Sequence, residues 1–241
     1  TYNITSFIAI SPVVFASRNS FLDPCSVKDI DCLSKSTEKF LGKTAAGLPE
    51  YGFRAIDPLI IPSLDVEVNE HMGLVFHFKE LNITGLKKQS ISDFRMDTDA
   101  KSVVLKTKAD LHLAALLTIE LKKDSKSFTG LCTIDSTVLG TAQYNYNLKP
   151  NDKGVEFFEV GPETISCEIN DEPNIVLGSN LKKLLENDPD AKKWKDDYLA
   201  DRVANRKRLM CYITKRIYAD VVHNIRAAAK ILPKTAFFKD V

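Results

Sequence analysis

From about residue 58 to residue 168 the apolar side chains recur at every second position, the period of a strand with one dry and one wet face. The clearest stretch is 105–113, where Leu105, Thr107, Ala109, Leu111 and Leu113 alternate with Lys106, Lys108, Asp110 and His112. Leu74, Phe76 and Phe78 alternate likewise with Val75, His77 and Lys79, and Leu117, Ile119 and Leu121 with Thr118, Glu120 and Lys122. Phe128, Gly130, Cys132 and Ile134 share one face, as do Val138, Gly140, Ala142, Tyr144, Tyr146 and Leu148. Asn151-Asp152-Lys153-Gly154 reads as a turn into a further strand at 155–160. The pattern predicts long antiparallel strands whose dry face needs a cover.

The cover follows in the chain. After Pro173 the period lengthens: Leu181, Leu184 and Leu185 make a short helix closed by Asp188-Pro189. A longer helix is expected from about Trp194 to Leu232, with Met210, Ile213, Ile217, Val221, Ile225, Ala228 and Leu232 forming a continuous stripe. Nearly 40 residues at 1.5 Å each give a rod of about 60 Å. Near the start, residues 26–46 place Ile30, Leu33, Phe40 and Leu41 on one face of a short amphipathic helix stopped at Gly47-Leu48-Pro49. The fold class is α+β, a long helix packed on a strongly curved antiparallel sheet. With no repeats or flexible linkers, residues 17–241 read as one domain.

Thirty-three basic and 32 acidic residues nearly cancel, so no global field steers the chain to nucleic acid or an anionic membrane. Residues 1–16, TYNITSFIAISPVVFA, carry no charge, and Val14 and Ala16 stand at the positions of a cleavage site before Ser17. They read as a secretory signal peptide, the alternative being an N-terminal strand kept in the mature fold. No other apolar run approaches the roughly 20 residues that span a bilayer. Five cysteines suit an exported protein. The expected bonds are Cys25–Cys32 and Cys167–Cys211, leaving Cys132 buried and free. Asn82-Ile83-Thr84 is a glycosylation sequon in a secreted chain.

The local signatures of hydrolases, zinc proteases and nucleotide-binding loops are missing. The four histidines are scattered, and His77 and His112 fall on wet faces, so neither a metal nor a cofactor is expected. Arg206-Lys207-Arg208, with Asp196, Asp197 and Asp201 nearby, reads either as a solvated helix face or as a receptor or membrane contact. Tyr144 and Tyr146 direct phenol hydroxyls toward an apolar interior. Each such hydroxyl is either bonded to a backbone carbonyl or held for an acceptor on a mostly apolar ligand.

The run 90–98 (SISDFRMDT), LKTKADLHL at 105–113, KSFTGL at 126–131, YNYNLK at 144–149 and VVHNIRAAAKILP at 221–233 resemble the lepidopteran haemolymph juvenile hormone-binding proteins. The broader group includes the takeout proteins. The likeness covers essentially all of 23–240, with Cys25, Cys32, Cys167 and Cys211 in the family's places. It implies a long helix wrapped by a highly curved sheet, and a cavity for a sesquiterpenoid epoxide methyl ester at one end of the roll, covered by the N-terminal helix. Tyr144 matches a tyrosine that contacts the epoxide, and Phe237 and Phe238 match residues that line or cap the cavity. Cys132 and Arg54 stand where the family carries aromatic residues. The implied protein is a secreted, monomeric, non-enzymatic carrier of juvenile hormone in haemolymph. The alternatives are a takeout-like carrier of another small lipid, a protein that binds lipid surfaces or a receptor, and a hydrolase of the same ligand.

Overall fold

A computed structural model describes residues 21–71 and 73–241. The signal-peptide expectation and the cleavage before Ser17 lie outside these residues. The elements in chain order are α1 (Ile30–Thr44), β1 (Leu59–Asn69), β2 (Leu74–Thr84), β3 (Ser90–Asp97), β4 (Ser102–Leu121), β5 (Lys126–Pro150), β6 (Glu156–Glu168) and β7 (Asn174–Leu177). Four helices follow: α2 (Ser179–Asn187), α3 (Pro189–Ala200), α4 (Arg202–Ile231) and α5 (Lys234–Phe237).

The spine is the hairpin of β4 and β5, with 20 and 25 residues, well beyond the usual strand of about 3–10 residues. The two stretches of β5 separated in the sequence reading are one strand, because every even position from 128 to 148 stays on the same side. The outer edge of β4 is shared by β3 against its first half and β2 against its second. β5 is shared in the same way by β7 and β6. All pairings are antiparallel, and β1 completes the curved seven-stranded sheet beside β2.

α4 lies along the dry face, with Met210, Ile213 and Ile217 fully enclosed and Val221 and Ala228 buried, as the stripe requires. The rod is shorter than its apolar pattern suggests. At Asp201 the backbone leaves the helical region (φ −113°, ψ 26°), which separates α3 from α4. The buried Asn205 donates its side-chain amide to the Tyr198 carbonyl beside the break. The unbroken helix therefore has 30 residues, about 45 Å at 1.5 Å each.

Two glycines on the dry face of β5 set how closely helices approach. A Cβ at Gly130 would collide with Leu181 of α2, and one at Gly140 would collide with the ring of Tyr218 on α4. Tyr218 is buried, and its hydroxyl bonds Thr107 Oγ1 of β4 at 2.5 Å, fixing α4 to the hairpin.

Cys25–Cys32 and Cys167–Cys211 are disulfides, the second joining β6 to α4. Cys132 is free and buried, and burial pushes its thiol up to about 11. The basic triplet serves the fold: Arg206 bonds Glu172 (2.8 Å) and the Pro173 carbonyl, Lys207 the Asn170 carbonyl, and Arg208 the Val68 carbonyl. The carboxylate that balances it is Glu172, on the segment between β6 and β7, not the aspartates nearby in sequence.

Candidate ligand cavity

Toward the C-terminal end of α4 a cavity of about 160 Å³ lies between the helix and the sheet. Ile91 and Phe94 of β3, Leu105 and Thr107 of β4, and Tyr144 of β5 form the sheet wall. Val221, Ile225 and Ala228 of α4 form the floor. Leu33, Phe40 and Leu41 of α1 close the top, with Phe237 and Phe238 at one end. Leu105 is half-buried, unlike its dry-face neighbours Thr107 and Ala109, because it faces this space.

The closing helix is held mainly at its ends. Asp29 caps its first turn by accepting from the Cys32 N–H, and the disulfide clamps Cys25 to that turn. Cys25 pairs with the tail, donating to the Phe237 carbonyl (3.1 Å) and accepting from the Lys239 N–H (3.0 Å). Ser26 Oγ and the Val27 N–H both reach the Asp240 carboxylate. At the other end, the Ala45 carbonyl accepts from the Ile56 and Asp57 N–H groups. Between these anchors α1 meets β3 with little polar bonding; Ser34 Oγ to the Ile91 carbonyl, at 3.4 Å, is one such bond.

Several polar side chains in the wall are already engaged. Ser36 exchanges hydrogen bonds with the Asp23 backbone. Thr107 donates to Gln89 Oε1 at 3.0 Å. Asn224 accepts from the Arg54 N–H and donates to the Arg54 carbonyl, both at 2.8 Å. Arg54 itself does not line the cavity; its guanidinium pairs with Asp220. Tyr144 differs. Among the described residues its hydroxyl has no hydrogen-bond partner, so the backbone-bonded alternative for this tyrosine is not realised. Burial raises the phenol well above its usual pKa, with nearby Arg226 opposing in part, so the group stays a proton donor across the physiological range.

The structure brings Tyr144, Phe237 and Phe238 together and sets Tyr146 aside. Tyr146 packs edge-on against Phe158 (centroids 5.2 Å apart, planes at 83°) in a second cluster with Val103 and Ala229. It lines only a small neighbouring space of about 60 Å³, which shares Tyr144 and the two phenylalanines with the main cavity. Asn82 is exposed on β2. The polar wall residues Gln89 and Asn224 were not anticipated from sequence, since nothing in a period of two or 3.6 distinguishes a cavity wall from core. Among the described residues no cluster of three or more His, Cys, Asp or Glu is arranged to hold a metal ion, and no helix is long and apolar enough to cross a membrane.

A long helix enclosed by a curved antiparallel sheet, with an apolar cavity under a short N-terminal helix, defines a takeout-type fold. The crystal structure of Takeout 1 from Epiphyas postvittana superimposes with a TM-score of 0.73, covering 90% of this chain and 100% of that one at 16% identity. The family model of haemolymph juvenile hormone binding protein matches residues 4–123. The juvenile hormone-binding protein of Manduca sexta is 55% identical over 228 residues, which is 95% of this chain and 100% of that protein. The chain belongs to the haemolymph juvenile hormone-binding protein family.

Proposed function

We propose that this chain is a secreted haemolymph carrier that takes juvenile hormone into the cavity under α1, with residues 1–16 removed and 17–241 forming the carrier as a monomer. The observation that carries the reading is Tyr144, a phenol donor without a hydrogen-bond partner among the described residues, in the wall of a mostly apolar cavity. It suits a hydrophobic molecule with a single acceptor such as an epoxide oxygen. The relative's binding of juvenile hormone, at 55% identity, supports the choice of ligand. Burying about 400 Å² of apolar ligand surface at about 25 cal/mol/Å² contributes about 10 kcal/mol before ordering costs. Affinity comes mainly from the hydrophobic effect, while the tyrosine supplies orientation.

The cavity at about 160 Å³ is smaller than the roughly 300–1,000 Å³ of small-molecule sites. Uptake therefore requires a wall to move. The sheet wall is fixed by cross-strand pairing and the floor by the core contacts of α4, which leaves α1 as the gate. Phe237 and Phe238, paired to Cys25, move with it or hold its hinge.

Native mass spectrometry of protein taken from its source fluid tests the reading. One juvenile hormone per chain is the expected result. A different bound lipid would assign the cavity to another cargo, and hormone recovered as its hydrolysed acid after long incubation would replace the carrier with an enzyme.

A further inference from the structure

The acceptor sequence Asn82-Ile83-Thr84 lies in β2. Leu74, Phe76 and Phe78 put the even positions of that strand on the dry face, and the same alternation carried onward would bury Asn82. A bulge prevents this. Glu80 takes φ 50°, and the register against β4 steps from Lys79↔Leu116 to Asn82↔Ala114, three residues against two. One extra residue reverses the facing of everything that follows it in the strand. Leu81 and Ile83 are therefore fully buried, and Asn82 is exposed on the outer face of the sheet.

On that face Asn82 stands in register with Ile60 of β1 on one side and Ala114 of β4 on the other. The row continues through Thr133 of β5 to Val176 of β7, and the next row sets Leu116 of β4 opposite Leu131 of β5. Ile60 is 52% exposed, Leu131 69%, and Leu116 and Val176 are exposed as well. Apolar side chains exposed singly are ordinary, whereas neighbours in adjoining rows form a patch. Elsewhere β4 presents Lys106, Lys108, Asp110, His112 and Glu120 to the same side, so the apolar strip is a break in a charged surface.

We propose that Asn82 carries an N-linked glycan that lies over this strip and shields it. The donor is a lipid-linked oligosaccharide pyrophosphate. Asn82 Nδ2 bonds C1 of its first N-acetylglucosamine, the bond from C1 to the pyrophosphate oxygen breaks, the lipid pyrophosphate leaves, and the amide gives one proton to a base. Transfer takes place on the unfolded chain, so the finished fold has to leave the sugar outside, and the bulge at Glu80 does so. The apolar C–H faces of the sugar rings can then pack on Ile60 and Leu131, about 5 Å and 10 Å away across one and two strands.

The proposal rests on export of the chain. Its test uses residues 17–241 secreted by insect cells behind a foreign signal peptide, so the result depends neither on residues 1–16 nor on the cargo. A failure here is thereby distinct from a failure of the carrier reading. Release of the glycan by peptide-N-glycosidase A in heavy-oxygen water should mark position 82 with the isotope in a peptide map. Thr84→Ser keeps the hydroxyl of the acceptor sequence and should keep the sugar, while Thr84→Ala should lose it. Hydroxyl-radical footprinting should then show oxidation of Ile60, Leu116 and Leu131 rising severalfold, both in Thr84→Ala and in folded protein stripped by the enzyme. Val155, exposed in the turn between β5 and β6, should react equally with and without the sugar. An unmodified Asn82 peptide in the exported protein would overturn the site, and equal oxidation of the strip in both forms would overturn the shield.

Discussion

The ring of Tyr218 occupies the space that a side chain at Gly140 would fill, so α4 sits closer to the β4–β5 hairpin than any other residue at 140 would allow. The tyrosine hydroxyl then bonds Thr107, and Thr107 in turn donates to Gln89 in the cavity wall. Helix position and cavity shape are thus set at one contact. Gly140→Ala should cost about 1–3 kcal/mol, the range for overpacking a filled core. Gly42 in α1 meets nothing within 4 Å of an added Cβ. Gly42→Ala should stabilise by about 0.5–1 kcal/mol through helix propensity. Urea midpoints of the two variants should move in opposite directions, and a neutral Gly140→Ala would show that α4 can be displaced freely.

Tyr144→Phe keeps the ring and removes the hydroxyl proposed to meet the ligand. Affinity for juvenile hormone should fall by about 1–3 kcal/mol, roughly five- to 150-fold. An analogue with an alkene in place of the epoxide should bind the unaltered protein more weakly and be nearly indifferent to the substitution. Comparing the two ligands isolates the contact from general damage to the pocket. Equal binding of the epoxide by both proteins would return Tyr144 to the role of a core residue.

Gating by α1 has its own signature. Amides of residues 30–44 should exchange faster than those of α4 in the free protein and slow markedly when hormone is bound, because ligand selects the closed arrangement. Hydrogen exchange with mass spectrometry reads this directly. Identical protection with and without hormone would remove α1 as the gate and point to another wall.

His77 bridges two strands, bonding Asp65 of β1 (2.8 Å) and Glu120 of β4 (2.9 Å). Burial alone lowers its pKa, but the two carboxylates together outweigh it and the net direction is up. A pKa raised by folding stabilises most below the unfolded value near 6.5, and the gain is lost as pH rises through the folded value. His77→Gln should therefore lower the urea midpoint at pH 5.5 and leave it nearly unchanged at pH 8.5. The difference should stay below about 1 kcal/mol, since the group is partly solvated. A larger loss at the alkaline end would contradict the sign.

Much of the fold is written locally. The alternation at 105–113 predicts a strand with a dry face, and the stripe from Met210 to Leu232 predicts the helix that covers it, because each pattern depends only on neighbours along the chain. Tyr144 and the cysteine pairs stand out in the sequence itself, and the resemblance carried by YNYNLK and VVHNIRAAAKILP adds the ligand. Three features required the tertiary structure. The helix breaks at Asp201, where Asn205 meets the Tyr198 carbonyl, although the apolar spacing runs across the junction. Tyr144 and Tyr146 share a strand face and the same alternation, yet one faces the cavity and the other packs on Phe158, because α4 and the tail cover them differently. A second cavity of about 330 Å³ beneath β7, α2 and α3, lined by Phe76, Ile119 and Trp194, has no signature in the chain. A void is a property of surfaces that meet in space, and hydrophobic periodicity records which face is dry without recording whether that face is filled.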